Sequence, residues 1–399
     1  MLKRVKIRNF KSFKDFEIKL GKINCIVAPN NAGKSNLIKA FEFLYYALMS
    51  PEKAIEEFGG FENIRNIFLN EDNITFEFEY KKEFSFYNAM QKHLVSFSNL
   101  NCSYKLILYK DNNWKIKHSF NGKCFFKECE VNELKNLKIK KRYAFSGDVT
   151  LFSNKENKCK ENKCINISST NKKIALFLKE NIEYLENLAN NKYFYTYNFY
   201  PEKIKSTYRG GSKLRKDGTN LVEVLTYINE NKKELFEIIS SSLVGIVEEL
   251  EDIKIDKDLI ERNILLLKEK NKFLPFNITS DGTINLLALI TALYEPFEKK
   301  MISVDEIEKH LHLKAVDYIL DIIKNANYQF CFTTQSGEVM NEMSKNEIIF
   351  LYRDYEGFTK SIRADEIGNF DRKLKRFKDV STIIKFDILG YLGDYDEKE

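Results

Sequence analysis

Gly33, Lys34 and Ser35 stand together near the start of the chain, at a spacing that suits the binding of phosphate. They end the segment APNNAGKS, residues 28–35, which matches the phosphate-loop pattern G-x-x-x-x-G-K-[ST] at every fixed position except the first. In such a loop successive backbone N–H groups surround an anion, the lysine reaches the β- and γ-phosphates, and the hydroxyl binds Mg²⁺. We therefore predict ATP and Mg²⁺ as cofactors. The residues predicted to contact ATP in this loop are Asn30, Asn31, Ala32, Gly33, Lys34, Ser35 and Asn36.

Ala28 stands where the pattern has its first glycine. This position mainly requires a small residue where a strand turns into the loop, and alanine adds a single methyl group. Two interpretations are open: a working nucleotide site with one relaxed position, or a structural turn that matches by chance. The strand and helix predicted on either side favour the nucleotide site.

Asp305 and Glu306 form an acidic pair directly after the apolar run MISV, residues 301–304. A buried strand that ends in two carboxylates can place one in the coordination shell of Mg²⁺ and the other beside an attacking water. We predict that Asp305 and Ser35 bind Mg²⁺ and that Glu306 polarises the water. The alternative is a solvated acidic pair at a strand end, which is common in any protein.

Two other segments place polar groups at the ends of predicted elements. SDGT, residues 280–283, precedes a strongly apolar helix, so Ser280 or Thr279 suits its N-cap. The same turn, with Gly282, offers a second phosphate-binding nest. TTQS, residues 333–336, puts Gln335 at the end of a buried strand, where a sensor of the γ-phosphate would lie.

Hydropathy patterns predict the elements that position these residues. Residues 2–20 alternate apolar and polar positions around a turn and predict a β-hairpin. Residues 23–29 predict a buried strand and residues 34–49 a helix, so the phosphate loop connects a strand to a helix. After Pro275 the order helix, strand, helix, strand predicts a parallel sheet with both faces covered.

The middle of the chain follows other patterns. Short alternating segments within residues 61–143 predict an antiparallel sheet. Residues 151–175 are polar and lysine-rich and predict an exposed loop, and residues 218–253 have helical periodicity.

Composition limits the class of protein. The 399 residues are 43% hydrophobic, which favours a packed core over disorder. A net charge of +6 neither demands nor excludes a polyanionic partner. The start of the chain lacks the apolar core of a signal peptide, and the apolar run 284–294 is about half of the ~20 residues that span a membrane. We therefore expect a cytoplasmic protein whose cysteines are reduced.

Taken in order, the segments resemble ABC-type ATPases of the SMC, RecF and OLD-related group. Among these, the chain is most similar to short archaeal and bacterial ATPases that lack long coiled coils. The matching segments are IRNFKSF (7–13), NNAGKSN (30–36), KDGTNLVEVL (216–225), SDGT followed by LLAL (280–289), VDEIEKHLH (304–312) and TTQS (333–336).

The resemblance implies a fold and an activity. The fold is an α/β P-loop NTPase with an ABC/SMC-head-like mixed sheet, an antiparallel β subdomain and a helical insertion. The activity is ATP binding and hydrolysis in a homodimer in which two chains enclose two ATP molecules. In that arrangement Ser280 of one protomer contacts the γ-phosphate held by the other, and Lys11 approaches the nucleotide from the first hairpin. The implied partner is DNA or a DNA-processing protein such as a nuclease, in repair or in defence against foreign DNA.

The resemblance also implies an organisation along the chain. The expected parts are a first ATPase lobe at 1–80, a β-rich and lysine-rich insertion at 81–215, a helical segment at 216–270, a second ATPase lobe at 271–350 and a C-terminal extension at 351–399. The segment after Gln335 is too short, and lacks the acidic pattern, for a Toprim nuclease domain, so we predict no intrinsic nuclease.

Several positions depart from the family pattern. Ile307 and Leu313 replace prolines, Asn285 stands where arginine is frequent, and Gln335 replaces a histidine in the switch. Glutamine can donate a hydrogen bond to phosphate but cannot carry a positive charge. We therefore expect slow hydrolysis with ATP binding retained, and assign catalysis to Lys34, Glu306 and Gln335.

Two rival functions follow from these departures. One is a nucleotide-gated regulator of a partner protein with little turnover. The other is a non-catalytic DNA-binding scaffold with a degenerate site. A transporter ATPase is disfavoured by the NFKSF start and by the large insertion.

Two other groups of residues suggest partners. Cys124, Cys129, Cys159 and Cys164 form two C-x₄-C pairs that could bind structural zinc, although packed thiols are the more common case. Basic clusters suit either a solvated face or contacts to DNA phosphates. They are Lys138, Lys140, Lys141 and Arg142; Arg209, Lys213, Arg215 and Lys216; and Arg372, Lys373, Lys375 and Arg376.

Overall fold

The computed structural model divides the chain into two compact units. It describes residues 1–47, 51–88, 93–110, 114–126, 129–142, 146–152, 164–166, 194–206, 210–295, 301–368, 370–377, 379, 380 and 382. At 51, 80–104, 114–166, 373, 376 and 377 within these ranges, the description covers the backbone alone. The first unit comprises Met1–Lys22, Glu42–Tyr193 and Leu351–Ile362. The second comprises Ile23–Phe41, Phe194–Phe350 and Arg363–Glu399.

Strands are numbered in chain order. They are β1 (Leu2–Phe10), β2 (Phe13–Lys19), β3 (Ile23–Val27), β4 (Asn73–Asn88), β5 (His93–Tyr109), β6 (Trp114–Phe126), β7 (Cys129–Arg142), β8 (Ser146–Phe152), β9 (Cys164–Asn166), β10 (Phe194–Tyr197), β11 (Leu250–Lys257), β12 (Asn263–Glu269), β13 (Lys272–Pro275), β14 (Met301–Val304), β15 (Gln329–Thr334), β16 (Ile348–Arg353) and β17 (Thr359–Arg363).

Helices are numbered in the same way among the described residues. They are α1 (Lys34–Ala47), α2 (Pro51–Glu57), α3 (Phe61–Ile64), α4 (Pro201–Ser206), α5 (Leu221–Asn231), α6 (Lys233–Ile246), α7 (Asp281–Tyr294), α8 (Leu313–Asn325), α9 (Gly337–Asn341) and α10 (Phe370–Phe377). None of these helices has the length and hydropathy needed to cross a lipid bilayer.

The first unit is built on an antiparallel sheet in the order β2-β1-β4-β5-β6-β7-β8-β9. Alternation in β1 and β2 turns Val5, Ile7 and Phe16 inward, and the cross-strand pair Ile7–Phe16 is fully buried on one face. Phe43 of α1 stacks on Phe76 of β4, with ring centroids 5.2 Å apart, in the aromatic core under this sheet. The predicted hairpin and the predicted antiparallel sheet are confirmed.

The second unit is built on parallel strands in the order β10-β14-β15-β3-β16. Every residue of β3, β14 and β15 is buried, as expected for a parallel sheet that is covered on both faces. Val304 pairs with Phe332, and Thr334 pairs with Val27, so the carboxyl ends of these three strands lie at one edge. The loops that follow them must therefore meet.

The structure differs from the sequence prediction between residues 216 and 270. Helices α5 and α6 end at Ile246, and β11, β12 and β13 then form a small antiparallel sheet. The predicted helix up to residue 253, and the helical segment up to 270, are therefore wrong beyond Ile246. The reason is visible in β11 and β12, where Ile253, Leu265 and Leu267 are buried at strand spacing. Most of the loop predicted at 151–175 lies outside the described residues.

Candidate functional site

The segment from Ala28 to Gly33, the predicted phosphate loop, forms a turn between a strand and a helix. It follows the buried strand β3, and α1 begins directly after it at Lys34. Asn31, with φ of 65°, and Gly33, with φ of 111°, adopt conformations that favour asparagine and glycine. The Leu37 N–H bonds the Gly33 carbonyl at 3.0 Å, so the helical hydrogen bonds begin at the loop itself.

Lys34 folds back over its own loop. Its Nζ donates to the Ala28 carbonyl at 2.6 Å and lies 3.4 Å from the Pro29 carbonyl, and the residue is 8% exposed. Burial lowers the pKa of Lys34, while the charges of Glu306, Asp305 and Glu308 oppose this shift. The ammonium group thus lies within the field of three carboxylates. The group that accepts this hydrogen bond at position 28 is the backbone carbonyl oxygen. Glycine would offer the same acceptor, so the alanine at this position does not change the contact.

Asp305 and Glu306 directly follow β14, and both are hydrogen-bonded to Thr333 in the neighbouring strand β15. Thr333 Oγ1 donates to Asp305 Oδ1 at 2.6 Å and accepts the Glu306 N–H at 2.7 Å. Thr333 is fully buried, and its carbonyl accepts the Ile307 N–H at 3.1 Å. One threonine therefore fixes the backbone and one carboxylate of the acidic pair.

Gln335 contacts the second carboxylate of the pair. Its Nε2 donates to Glu306 Oε1 at 2.5 Å, and Glu306 itself has a φ of 50°, which is unusual for a glutamate. The backbone N–H groups of Gln335 and Ser336 both point to Glu308 Oε1, at 2.7 and 3.2 Å. The segment after β15 and the segment after β14 are thereby joined.

The predicted N-cap of α7 is confirmed. Ser280 Oγ accepts the Thr283 N–H at 3.1 Å and lies 2.8 Å from Thr283 Oγ1. Gly282 lies so close to the next loop that a Cβ on it would be 2.6 Å from the His310 carbonyl oxygen. Asn285 Nδ2 donates to the Lys309 carbonyl at 2.6 Å. The start of α7 therefore clamps the loop 306–312.

A cleft of about 450 Å³ opens beside Ser280. Its lining includes Ser280, Gly282 and Thr283 at the start of α7, together with His310, His312 and Lys314. Both histidines are exposed.

The predicted site residues fall into three groups. Lys34, Asp305, Glu306 and Gln335 come together at the edge formed by β3, β14 and β15. Ser280 and Gly282 lie on α7 against the loop 306–312 instead. Lys11 belongs to the first unit, where its Nζ donates to the Asn63 carbonyl at 3.1 Å.

The remaining predicted nucleotide ligands are carried by the loop between β3 and α1. Asn30, Asn31 and Ser35 are exposed, Asn36 is half-buried and Ala32 is buried. Glu308 and Thr333 were not among the predicted ligands, although both lie within the quoted segments VDEIEKHLH and TTQS. Their contacts are made to backbone N–H groups and to Asp305, and such contacts leave no pattern in the sequence.

The donors available for Mg²⁺ are the Ser35 hydroxyl and the Asp305 carboxylate. Mg²⁺ takes one or two carboxylates and completes its shell with water and phosphate, so this small set fits the ion. The described residues contain no group of three or more histidine, cysteine or acidic side chains arranged to hold a metal.

The zinc prediction falls outside the described side chains. Cys159 lies in an undescribed segment, and the structure gives only the backbone at Cys124, Cys129 and Cys164. Zinc at these four residues stays a prediction.

The basic clusters are described in part. Lys213 Nζ donates to the Tyr195 hydroxyl at 2.8 Å and lies 4.1 Å from the centroid of its ring, so this lysine is tied to the fold. Arg372 and Lys375 are exposed on α10. The side chains of Lys138, Lys140, Lys141, Arg142, Arg209, Lys373 and Arg376 lie outside the described part.

The sequence matches a family described as "AAA domain, putative AbiEii toxin, Type IV TA system" over residues 117–341, more than half of the 399 residues. The chain belongs to this AAA-domain family. The matched region of this AAA-domain protein includes Ser280, Asp305, Glu306 and Gln335, and the phosphate loop precedes it.

Two curated proteins share short segments with this AAA-domain protein. An "ATP/GTP phosphatase" of Helicobacter pylori is 42% identical over 66 residues, which is 16% of this chain and 17% of that protein. An "OLD nuclease" of Thermus scotoductus is 39% identical over 44 residues, which is 11% of this chain and 8% of that protein. The chain thus spans less than a fifth of the length of each of these relatives.

The fold of this AAA-domain protein is similar to a solved structure described as "Crystal structure of the SmcHead bound to the C-winged helix domain of ScpA". The TM-score is 0.50 at 16% identity, and the match covers 92% of this chain and 99% of that chain. The predicted SMC-head-like P-loop fold is confirmed. The predicted ABC-type ATPase resemblance is confirmed by the AAA-domain family and by the SMC-head-like fold, whereas the likeness to RecF stays a prediction.

Proposed function

We propose that this protein binds and hydrolyses ATP, and that ATP joins two copies of it. The observation that carries the proposal is the meeting of Lys34, Asp305 and Glu306 at the carboxyl ends of β3, β14 and β15. Phosphoryl transfer to water requires a cation that binds the phosphates, a carboxylate that binds the metal and a second carboxylate that orients the water.

Each side chain has a role in this proposal. Lys34 exchanges the Ala28 carbonyl for the β- and γ-phosphates, while the N–H groups of residues 30–36 surround the phosphate oxygens. Ser35 and Asp305 hold Mg²⁺, which supplies positive charge to the phosphate oxygens when bound. Glu306 orients the attacking water and accepts its proton.

Gln335 supports the expectation of slow turnover. Its amide N–H bonds Glu306 at 2.5 Å and thereby orients this carboxylate. Glutamine supplies no positive charge to the γ-phosphate. Hydrolysis therefore depends mainly on Glu306, Lys34 and Mg²⁺.

ATP-dependent dimerisation is the second part of the proposal. Ser280 begins α7 beside an open cleft and, in a two-fold dimer, would face the nucleotide of the other copy. A ligand that binds only the paired state stabilises that state by mass action. The similarity to an SMC head and the AAA-domain family support this arrangement.

The output we propose is control of DNA or of a DNA-processing partner, in repair or in defence against foreign DNA, in the cytoplasm. The support is the short match to an OLD nuclease and the toxin–antitoxin description of the family. A regulator with little turnover and a non-catalytic scaffold remain the rival functions.

Replacing Glu306 tests the proposal. Because Glu306→Gln removes the general base, we expect ATP hydrolysis to fall by about 10²–10⁴-fold while ATP binding persists. Size-exclusion chromatography of this variant should show a dimer with ATP and a monomer without it. The exposed Glu342 provides a matched control, since Glu342→Gln should behave as the wild type.

Other outcomes identify the rivals. A hydrolysis rate that Glu306→Gln leaves unchanged contradicts the catalytic role and favours the regulator. ATP binding that survives Lys34→Ala favours the scaffold. Duplex DNA added to the ATP-bound dimer tests the DNA partner, because phosphate contacts would make binding fall steeply with salt.

A further inference from the structure

We propose that Glu308 is a positioning residue for hydrolysis, which fixes the switch segment 335–336 so that the Gln335 side chain meets Glu306. This inference rests on the proposed function and assigns a role to a residue outside the predicted catalytic and binding set.

Glu308 joins two loops that the chain places far apart. It follows β14 by a few residues, and its Oε1 accepts the N–H groups of Gln335 and Ser336, at 2.7 and 3.2 Å, directly after β15. Gln335 then reaches back with its amide to Glu306 at 2.5 Å. The backbone of Gln335 is thus held by one glutamate while its side chain bonds the other.

The two carboxylate oxygens of Glu308 differ in their hydrogen bonds. Oε1 takes both N–H groups, whereas Oε2 is buried and has no hydrogen-bond partner among the described residues. A buried carboxylate oxygen without a donor costs stability, so such a group calls for an explanation. Hydrogen bonds from N–H groups to a carboxylate are stronger than neutral ones, which suits a residue that must hold a loop in place.

The geometry around Glu306 shows why the hydrogen bond from the Gln335 backbone to Glu308 is important for catalysis. Glu306 has a left-handed backbone, and Thr333 fixes its N–H. The position of its carboxylate therefore depends on the partner that its side chain meets, which is Gln335 in this structure. Without the hydrogen bond to Glu308, the Gln335 side chain would be held less firmly. The carboxylate of Glu306 would then be less well oriented.

Kinetics of Glu308 variants separate positioning from a general structural role. Glu308→Ala should lower kcat by about 10- to 100-fold, with KM for ATP changed by less than about twofold. Glu308→Gln keeps an acceptor oxygen and should recover most of the lost kcat. Adding Glu308→Ala to Gln335→Ala should cost little more than Gln335→Ala alone, because both changes remove the same alignment.

A second measurement does not depend on activity. Hydrogen exchange at the Gln335 amide should be faster in Glu308→Ala than in the wild type, since its acceptor is lost. The Ser336 amide keeps Thr334 Oγ1 as an acceptor at 3.0 Å and should change less. Hydrogen exchange at the amides of β15 itself should be unchanged. The matched control is Glu342→Ala. Glu342 is an exposed glutamate directly after α9, and its replacement should change neither hydrogen exchange nor kcat.

The failures of the two ideas can be told apart. If the wild-type chain does not hydrolyse ATP, the proposed function fails and this role fails with it. If the wild type hydrolyses ATP and Glu308→Ala matches it in kcat, only this inference is wrong. Additive losses in the double variant, or a Glu308→Gln variant as impaired as Glu308→Ala, would also overturn it.

Discussion

Lys34 shows how one residue can be prepared for a ligand. Its ammonium group is nearly buried and hydrogen-bonded to the Ala28 carbonyl, and burial lowers its pKa. Glu306, Asp305 and Glu308 counter this effect and help to keep the lysine charged. A bound triphosphate would bring several more negative charges and favour the charged form further.

This arrangement predicts a pH dependence of ATP binding. Because the pKa of Lys34 is lowered in the free protein and raised by phosphate, binding should take up protons as the pH rises toward that pKa. Affinity should therefore fall as the pH rises from neutral toward the ordinary lysine pKa of about 10.4. Titration calorimetry in two buffers of different ionisation enthalpy measures the uptake.

The matched comparison uses two lysines of α1. Lys34→Met should lose most of the affinity and the proton uptake, whereas Lys39→Met, at an exposed position, should retain both. Affinity that is constant over this pH range in the wild type would contradict the assignment.

At the residue scale the sequence predicts the groups that carry charge. Lys34, Asp305 and Glu306 stand in recognisable order after predicted elements, and the structure places them together. Thr333 and Glu308 could not be assigned in that way. Their importance comes from the N–H groups and the carboxylate that the fold brings to them.

At the scale of elements, the loop 306–312 lies between two supports. The switch segment after β15 holds it through Glu308, and the start of α7 holds it through Gly282 and Asn285. Two of its residues, Glu306 and His310, have left-handed backbones, so its shape depends on these supports.

Gly282 tests the second support. In Gly282→Ala the new Cβ would lie 2.6 Å from the His310 carbonyl oxygen, so the helix and the loop must separate. We expect a loss of about 1–3 kcal/mol in the free energy of unfolding, together with slower ATP hydrolysis. Thermal unfolding and steady-state ATPase measurements check this.

The control is a glycine inside α6. A Cβ on Gly245 would meet nothing within 4 Å, so Gly245→Ala should be neutral or stabilising by up to about 1 kcal/mol. Equal destabilisation by the two substitutions would contradict the close approach at Gly282.

Elements with a strong period could be predicted from the sequence. The hairpin at residues 2–20, the helices α1, α7 and α8, and the parallel strands β3, β14 and β15 follow directly from hydropathy. β11 and β12 were missed because the helical pattern runs to Ile246, and Gly245 lies within the last turn of α6 instead of marking its end. Local pattern carries little information at such a boundary.

At the scale of the whole molecule, the proposal predicts a composite site. If Ser280 serves the nucleotide of the other copy, Lys34→Ala and Ser280→Arg should each be inactive alone. In a random mixture half of the dimers are mixed, and each contains one intact site. The mixture should therefore regain about a quarter of the wild-type ATPase rate.

A second mixture provides the control. Lys34 and Glu306 act in the same half of the site, so Lys34→Ala mixed with Glu306→Gln should remain inactive. Recovery in both mixtures, or in neither, would contradict a serine that acts across the dimer.

The order of strands in the second unit also has a consequence for biosynthesis. β3 lies between β15 and β16, and both of these neighbours are translated roughly 300 or more residues later. At about 5–20 residues per second, a ribosome needs roughly 15 to 60 seconds to cover that distance. Throughout that interval a mostly apolar strand has both edges unpaired, which exposes the nascent chain to aggregation and makes it a candidate client for chaperones.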